Sequence, residues 1–337
     1  MVIGKKIKEE EETENPKRKT IVIFGASSFI GSNLAEFFKK DYKVIGTYYK
    51  NSVHIPGVLT IPCDVLAKEE VQLILFAFKP DVVIYCAGVT SVYDCHKNEE
   101  RADALNTSGL FNVAEYCQRY KAQICYISSG FIFAGQRKTY FEMDIPDSLT
   151  NYGKTQAAAE FYIQKTSLNY VIFRCCRLYG RGIVAQRPTW FQNFERRLSQ
   201  NKSLSMDDFI TTGFMDVYYL GLLIKMCLDK KVTNRLFQVS TNDIETLHGF
   251  SKHYSDVFGV SKDMFTKGRW TFPLNQTQST TQVEDKLFFK LDTANLEGFL
   301  NIELPTIKES LEFTYSRLGG QSVKKANSQG SDGIKFI

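Results

Sequence analysis

The first chemistry this sequence offers is anion binding at a glycine turn. Thr20-Ile21-Val22-Ile23-Phe24 is a run of β-branched and aromatic residues that breaks at Gly25, and Gly31 opens an amphipathic segment, Ser32 to Lys40. The pattern predicts a buried parallel strand, a tight turn and a helix whose N-terminus faces that turn. Free backbone N–H groups and the positive end of the helix dipole would point into it, an arrangement that suits a pyrophosphate. Gly25 lets the chain turn sharply, and Gly31 lets helix and strand pack closely. Ser27, Ser28, Phe29 and Ile30 fill the turn, and Ser28 stands where the dinucleotide-binding fingerprint carries a further glycine. Serine adds only a hydroxymethyl group, so phosphates can still enter, at closer quarters. An ordinary strand–turn–helix punctuated by glycines is the plainer alternative.

Other chemistries find less support. His54, His96, His248 and His253 are dispersed and form no metal-ligand spacing, so no metal is expected. There is no Gly-x-Ser-x-Gly and no P-loop, which argues against hydrolase and NTPase functions. The eight cysteines are scattered without a Cys-x-x-Cys pair, and several lie in apolar runs where thiols pack as small hydrophobes. No apolar stretch approaches the ~20 residues that span a bilayer, and the charged opening segment is unlike a secretory signal. A reducing cytoplasm and no membrane are therefore the expectation. Of the net charge of +5, residues 1–19 and 318–337 carry +3, leaving too little on the body to argue for nucleic acid.

The elements that must position the turn alternate regularly. Strands are expected at 20–24, 42–48, 58–61, 82–86, 124–128, 131–133 and 170–174, with helices at 32–40, 68–78, 99–120 and 151–166. Strands alternating with helices mean a parallel sheet covered on both faces, whose ligands bind at the carboxyl ends of the strands. After Gly180 the rhythm loosens: helices are expected at 190–198, 217–228, 246–258 and 306–318, with a strand at 235–239 that can return to the main sheet. The expected fold class is α/β, a doubly wound, Rossmann-like parallel sheet with a smaller C-terminal substrate lobe. The divisions are a disordered tail at 1–18, a dinucleotide-binding domain at 19–179, a mainly substrate-binding lobe at 180–318 and a second disordered tail at 319–337.

Five motifs then fall in order: Gly25-x5-Gly31, Cys86-Ala87-Gly88, Leu105-Asn106-Thr107, Ser128-Ser129-Gly130-Phe131-Ile132-Phe133-Ala134-Gly135, and Tyr140-x-Glu142-x-Asp144-x-Pro146-x5-Tyr152-Gly153-Lys154-Thr155. Together they resemble the extended short-chain dehydrogenase/reductase superfamily, and within it the dTDP-4-dehydrorhamnose reductase branch, which also holds the regulatory subunit of methionine adenosyltransferase. The resemblance covers roughly residues 20–318 and is strongest over 20–180. It implies NAD(P)-dependent chemistry on the 4-keto group of a nucleotide-activated sugar. Tyr152 would protonate the carbonyl oxygen and Ser129 would hydrogen-bond it. It further implies cofactor contacts from Asp64 and Val65, from Cys86, Ala87 and Gly88, from Asn106 and from Cys175, and a homodimer.

One departure stands out. The superfamily pattern is Tyr-x-x-x-Lys, whereas four residues after Tyr152 this chain carries Gln156. Gln156 shares the helical face of Tyr152 and can bond a nicotinamide ribose, but it supplies no charge to lower the pKa of the tyrosine. Lys154, two residues on, is expected to point elsewhere. Thr47-Tyr48-Tyr49-Lys50 offers no carboxylate after the second strand, so Lys50 tilts the expected cofactor toward NADP, with NAD second. Arg174 and Arg177 flank Cys175-Cys176 in a segment, Phe173 to Gly180, that the resemblance places under the nicotinamide, while Arg181 and Arg187 are candidates for the diphosphate of the substrate or for plain surface solvation. The leading reading is an NADP-dependent sugar-nucleotide reductase or epimerase. The alternative is a catalytically impaired, dinucleotide-binding regulatory or scaffold protein of the same fold.

Overall fold

The computed structural model describes residues 18–167, 169–184, 187–269 and 286–320. The tails expected at 1–18 and 319–337 lie, apart from residues 18, 319 and 320, outside the described residues. Seven strands form the central sheet: β1 (Thr20–Phe24), β2 (Lys43–Tyr48), β3 (Leu59–Pro62), β4 (Val82–Tyr85), β5 (Gln123–Ser129), β6 (Tyr170–Cys175) and β7 (Arg235–Val239). Their order is β3-β2-β1-β4-β5-β6-β7, and every neighbouring pair is parallel. The chain winds outward through β1, β2 and β3, then crosses back to β4 and winds the other way. Connections therefore leave β1 and β4 in opposite directions, and this opens a crevice above their carboxyl ends.

The strands read as continuous apolar runs because both faces are covered. All five residues of β1 are buried, and successive side chains serve opposite cores. Ile21 and Ile23 pack with Leu34, Phe38, Leu220 and Ile224 on one face. Val22 and Phe24 pack with Leu75, Leu110, Val113 and Ile163 on the other. The first face is covered by α1 (Phe29–Phe38) and the helix Val217–Asp229, the second by α2 (Lys68–Phe78), α3 (Gly109–Tyr120) and α4 (Asn151–Thr166). Strand β7 completes the sheet from beyond Gly180, as the return of 235–239 anticipated.

Residues after β6 build a further core around Tyr179, Phe191, Phe214, Phe250, Tyr254 and Ile307. The helices Trp190–Ser199, Leu247–Phe258 and Ile307–Arg317 carry most of it. It is fastened from within: Tyr179 and Ser310 hydroxyls meet at 2.8 Å, and buried Asp216 accepts from Arg317 at 2.7 Å.

Three expectations need correction. Helix α1 begins at Phe29, three residues before Ser32, because the Ser28 hydroxyl caps it by accepting the Gly31 N–H at 3.0 Å. The apolar run 131–133 is not a strand; Gly130–Ile132 is a 3₁₀ turn capped by Ser129, whose hydroxyl accepts the Phe131 N–H at 3.2 Å. The helical stretch 99–120 is interrupted by a π-turn at Ala104–Ser108, a distortion common where a helix serves a site.

Candidate active site

The glycine turn is shaped by contact with the neighbouring strand. Gly25 has φ +84°, and a Cβ there would lie 2.6 Å from the Ala87 nitrogen and 2.7 Å from the Cys86 carbonyl carbon. Only glycine permits that approach at that backbone angle. A Cβ on Gly31 would run into the Gly25 carbonyl, so both glycines are demanded by backbone packing. Among the described residues, the N–H groups of Phe29 and Ile30, the first two residues of α1, meet no acceptor, as at any helix start. The Ser28 hydroxyl, by contrast, is engaged with Gly31.

From this turn a cleft of about 780 Å³ runs across the carboxyl ends of β1, β4, β5 and β6 toward the C-terminal core. Ser28, Phe29 and Ile30 line one end, Cys86, Ala87 and Gly88 the floor, and Ser129, Tyr152, Gln156 and Cys175 the middle. Trp190, Asp207, Leu247 and Arg269 close the far side. Residues from nine separate stretches of sequence thus converge. Lys50, Asp64 and Val65 do not line the cleft. Lys50 is exposed, its ammonium 5.2 Å from the ring centre of Tyr49. Asp64 accepts the Leu66 N–H at 2.9 Å in a local turn, and Val65 packs in the core under α2 and α3.

Asn106 lines the cleft, but its side chain is fully committed. Its oxygen takes the Val89 N–H at 2.8 Å, and its nitrogen donates to the Val89 carbonyl at 3.0 Å and to the Thr155 hydroxyl at 2.9 Å. It pins the loop after β4 to the second turn of α4, and so acts as a clamp between the cleft floor and the helix that carries Tyr152.

The face of α4 carries the central polar groups at four-residue intervals: Tyr152, Gln156, Glu160. The Tyr152 hydroxyl stands near Ser129, whose hydroxyl acts to lower its pKa, and both side chains line the cleft. Burial nevertheless pushes the phenol up to about 12, and the neighbouring Ser129 opposes this only in part. Lys154 is exposed on another side of the helix and lines no part of the cleft. Gln156, 6% exposed, turns its side-chain oxygen to Tyr126 on β5, whose hydroxyl donates at 2.7 Å. Sequence reasoning missed Tyr126, which its alternation along β5 places under α4.

The arginines separate into two kinds. Arg174 does not enter the cleft: it is paired with Glu160 in a buried ion pair at 2.8 Å. Arg181 is held by Glu195 at 2.9 Å, and Arg187, like Arg181, is not on the cleft wall. Arg177 and Arg269 do line it. Burial lowers the Arg177 pKa and nearby Asp207 opposes the change, but a guanidinium stays charged at neutral pH. Arg177 and Arg269 therefore bring positive charge to the cleft wall, and among the described residues no cation is among the causes that shift Tyr152. Among the described residues there is no group of three or more His, Cys, Asp or Glu side chains placed to hold a metal ion. No helix of the described residues is long and apolar enough to cross a membrane.

Comparison with known proteins meets this geometry. The profile of the RmlD substrate binding domain family matches residues 19–318. The chain belongs to this family. Within reach of it, methionine adenosyltransferase 2 subunit beta of Bos taurus is 28% identical over 257 residues, covering 74% of this chain and 75% of that protein. A probable low-salt glycan biosynthesis reductase of Haloferax volcanii is 25% identical over 292 residues, 86% of this chain and 95% of that protein. Among solved structures, dTDP-4-dehydrorhamnose reductase of Bacillus anthracis in complex with NADP superposes with a TM-score of 0.73 at 20% identity, covering 89% of this chain and 99% of that one. UDP-glucose 4-epimerase of Thermotoga maritima with UDP-glucose gives 0.72 at 18% identity, over 89% and 99%. These likenesses show that the RmlD-family chain has the Rossmann-like α/β fold expected of it.

Proposed function

We propose that this protein binds a nicotinamide dinucleotide in the cleft and reduces a carbonyl of a nucleotide-activated sugar, slowly. The single observation that carries the reading is that Tyr152 and Ser129 stand together in a cleft that begins at a glycine turn whose Phe29 and Ile30 N–H groups meet no acceptor among the described residues. The turn fits a pyrophosphate because its backbone donors are open and its glycines leave no side chain above them. Cys86, Ala87, Gly88, Gln156 and Cys175 would wall the nicotinamide end. The solved relatives in complex with NADP and with UDP-glucose support both ligand classes. NADP is the expected form through Lys50, which follows β2.

When bound, the cofactor supplies the hydride. Tyr152 gives its hydroxyl proton to the carbonyl oxygen while Ser129 donates a hydrogen bond to the same atom. The tyrosine is left as a phenolate, reprotonated from solvent. A phenol near 12 rather than 10.0 is a weaker acid by roughly 3 kcal/mol, which slows the proton step. Arg177 and Arg269 would meet the diphosphate of the substrate.

The same neutral surroundings favour a second reading, a dinucleotide-binding subunit with little turnover. The kinship with subunit beta of methionine adenosyltransferase 2 is consistent with it. A single-turnover assay with NADPH and a 4-keto nucleotide sugar separates the two. The enzyme reading expects slow oxidation of NADPH that Tyr152→Phe abolishes. Bound NADPH that stays reduced in both proteins would overturn the enzyme reading in favour of the subunit.

A further inference from the structure

Gln156 is held by a partner thirty residues away in sequence, Tyr126, at 2.7 Å and wholly inside the protein. Tyr126 is 2% exposed, packed under α4 with its ring 6.3 Å from that of Tyr85. Burial and the neighbouring Tyr152 and Glu160 push its phenol well above the ordinary tyrosine range, so it is a neutral donor. A carboxamide has two ends of opposite character and nearly equal size, and it can turn over whenever nothing distinguishes them. Here the hydroxyl takes the oxygen. The amide nitrogen, with two N–H donors, is then the end that a ligand in the cleft can meet, since Gln156 lines the cleft wall.

We propose that Tyr126 is a positioning residue which fixes the Gln156 carboxamide with its nitrogen to the cleft. The pair forms a neutral two-part donor for a hydroxyl of the nicotinamide ribose. This rests on the proposed dinucleotide site and adds to it how a chain with glutamine at this place keeps a directed donor. The pair restores direction without restoring charge. Its effect falls on cofactor binding, and it leaves the acidity of Tyr152 unchanged.

The test is a double-mutant cycle on the full chain, Tyr126→Phe, Gln156→Ala and the two together, read by NADPH fluorescence titration. Tyr126→Phe removes one oxygen from a packed ring, and thermal melting confirms that the variants are folded. Losing one directed hydrogen bond predicts that NADPH binds about fivefold more weakly to Tyr126→Phe. The double variant should then be no weaker than Gln156→Ala alone. Unchanged affinity in Tyr126→Phe, or losses that simply multiply, would overturn the proposal. A second readout needs no ligand: the Gln156 side-chain amide signals in a nitrogen–proton NMR spectrum, identified by their loss in Gln156→Ala. They should shift in Tyr126→Phe, and signals that stay in place would refute the pairing. If the signals shift while the unaltered protein binds no dinucleotide, the pairing stands, and the ribose assignment falls together with the proposed function.

Discussion

Helix α4 presents two polar sites on one face, four residues apart, built on opposite electrostatic principles. At its deeper site Glu160 and Arg174 are 1% and 3% exposed, and each charge is met from several directions. The guanidinium gives Glu160 three hydrogen bonds of 2.8 to 3.1 Å and donates a fourth to the Glu142 carbonyl at 2.9 Å. The Ser128 hydroxyl donates to the same carboxylate. At the upper site Tyr152 and Gln156 are surrounded by neutral groups, Ser129, Tyr126 and the thiol of Cys175. The fold therefore tolerates a buried cation about two turns below Tyr152, provided that a full set of partners comes with it. The missing charge at the upper site follows from the side chains present there and is not imposed by the scaffold.

The widest test of this contrast is alkaline titration, because neutral burial is also the rule for the thiols. Cys63, Cys86, Cys176 and Cys227 are each pushed up to about 12, and Cys95 to about 11, from an ordinary 9.0. In every case burial is the largest cause. The unfolded chain releases these protons as pH passes 9, while the folded chain holds them. Stability is therefore complete below pH 9 and falls steadily as pH rises toward 12. Denaturant midpoints measured across that window should decrease, and a flat profile would show the thiols to be solvated.

Next in size is the charged site itself. Glu160→Ala leaves the Arg174 guanidinium buried without its carboxylate and should destabilise the fold by about 3–5 kcal/mol, seen as a large drop in melting temperature. A change under about 1 kcal/mol would mean that water replaces the pair readily and that the two sites differ less than they look. At the upper site, Gln156→Lys places a cation four residues from Tyr152. If the slow proton step is limiting, turnover should rise by about tenfold or more and its pH profile should move to lower pH. A fall in turnover would show instead that the neutral amide is part of a working site. The smallest effect is expected from Lys154→Ala. Its side chain is solvated, so stability should stay within about 0.5 kcal/mol and turnover should be unaffected; a collapse of activity would place Lys154 in the chemistry.

Much of this arrangement was legible in the sequence for identifiable reasons. Strand β1 and its glycines announce themselves because both faces of a parallel strand are apolar and because a side chain at Gly25 or Gly31 would strike backbone. Tyr152, Ser129 and Gln156 were legible through the resemblance, and the structure brings them together in one cleft. The start of α1 was misread because the cap is made by Ser28, while the eye follows the glycine. Phe131 to Phe133 looked like a strand because an apolar run of three has no period of its own. Lys50, Asp64 and Val65 fall outside the cleft, and of the three only Lys50 enters the proposed function. The Tyr126–Gln156 and Glu160–Arg174 pairs were not legible at all. Each depends on how α4 is registered over β5 and β6, and spacing along the chain carries no trace of that. The short strands after β6, such as Leu204–Asp207 and Phe214–Asp216, are too brief for alternation to reveal them.

The account stands or falls on whether the cleft is a nicotinamide dinucleotide site that works without a charged residue beside its tyrosine. Titration of the full protein with NADPH and NADH, followed by nicotinamide fluorescence, tests this most directly. The account predicts saturable binding, tighter for NADPH, and weakened by Gly25→Ala, which would drive a methyl group against Cys86 and Ala87. No binding of either dinucleotide at high concentration would contradict it.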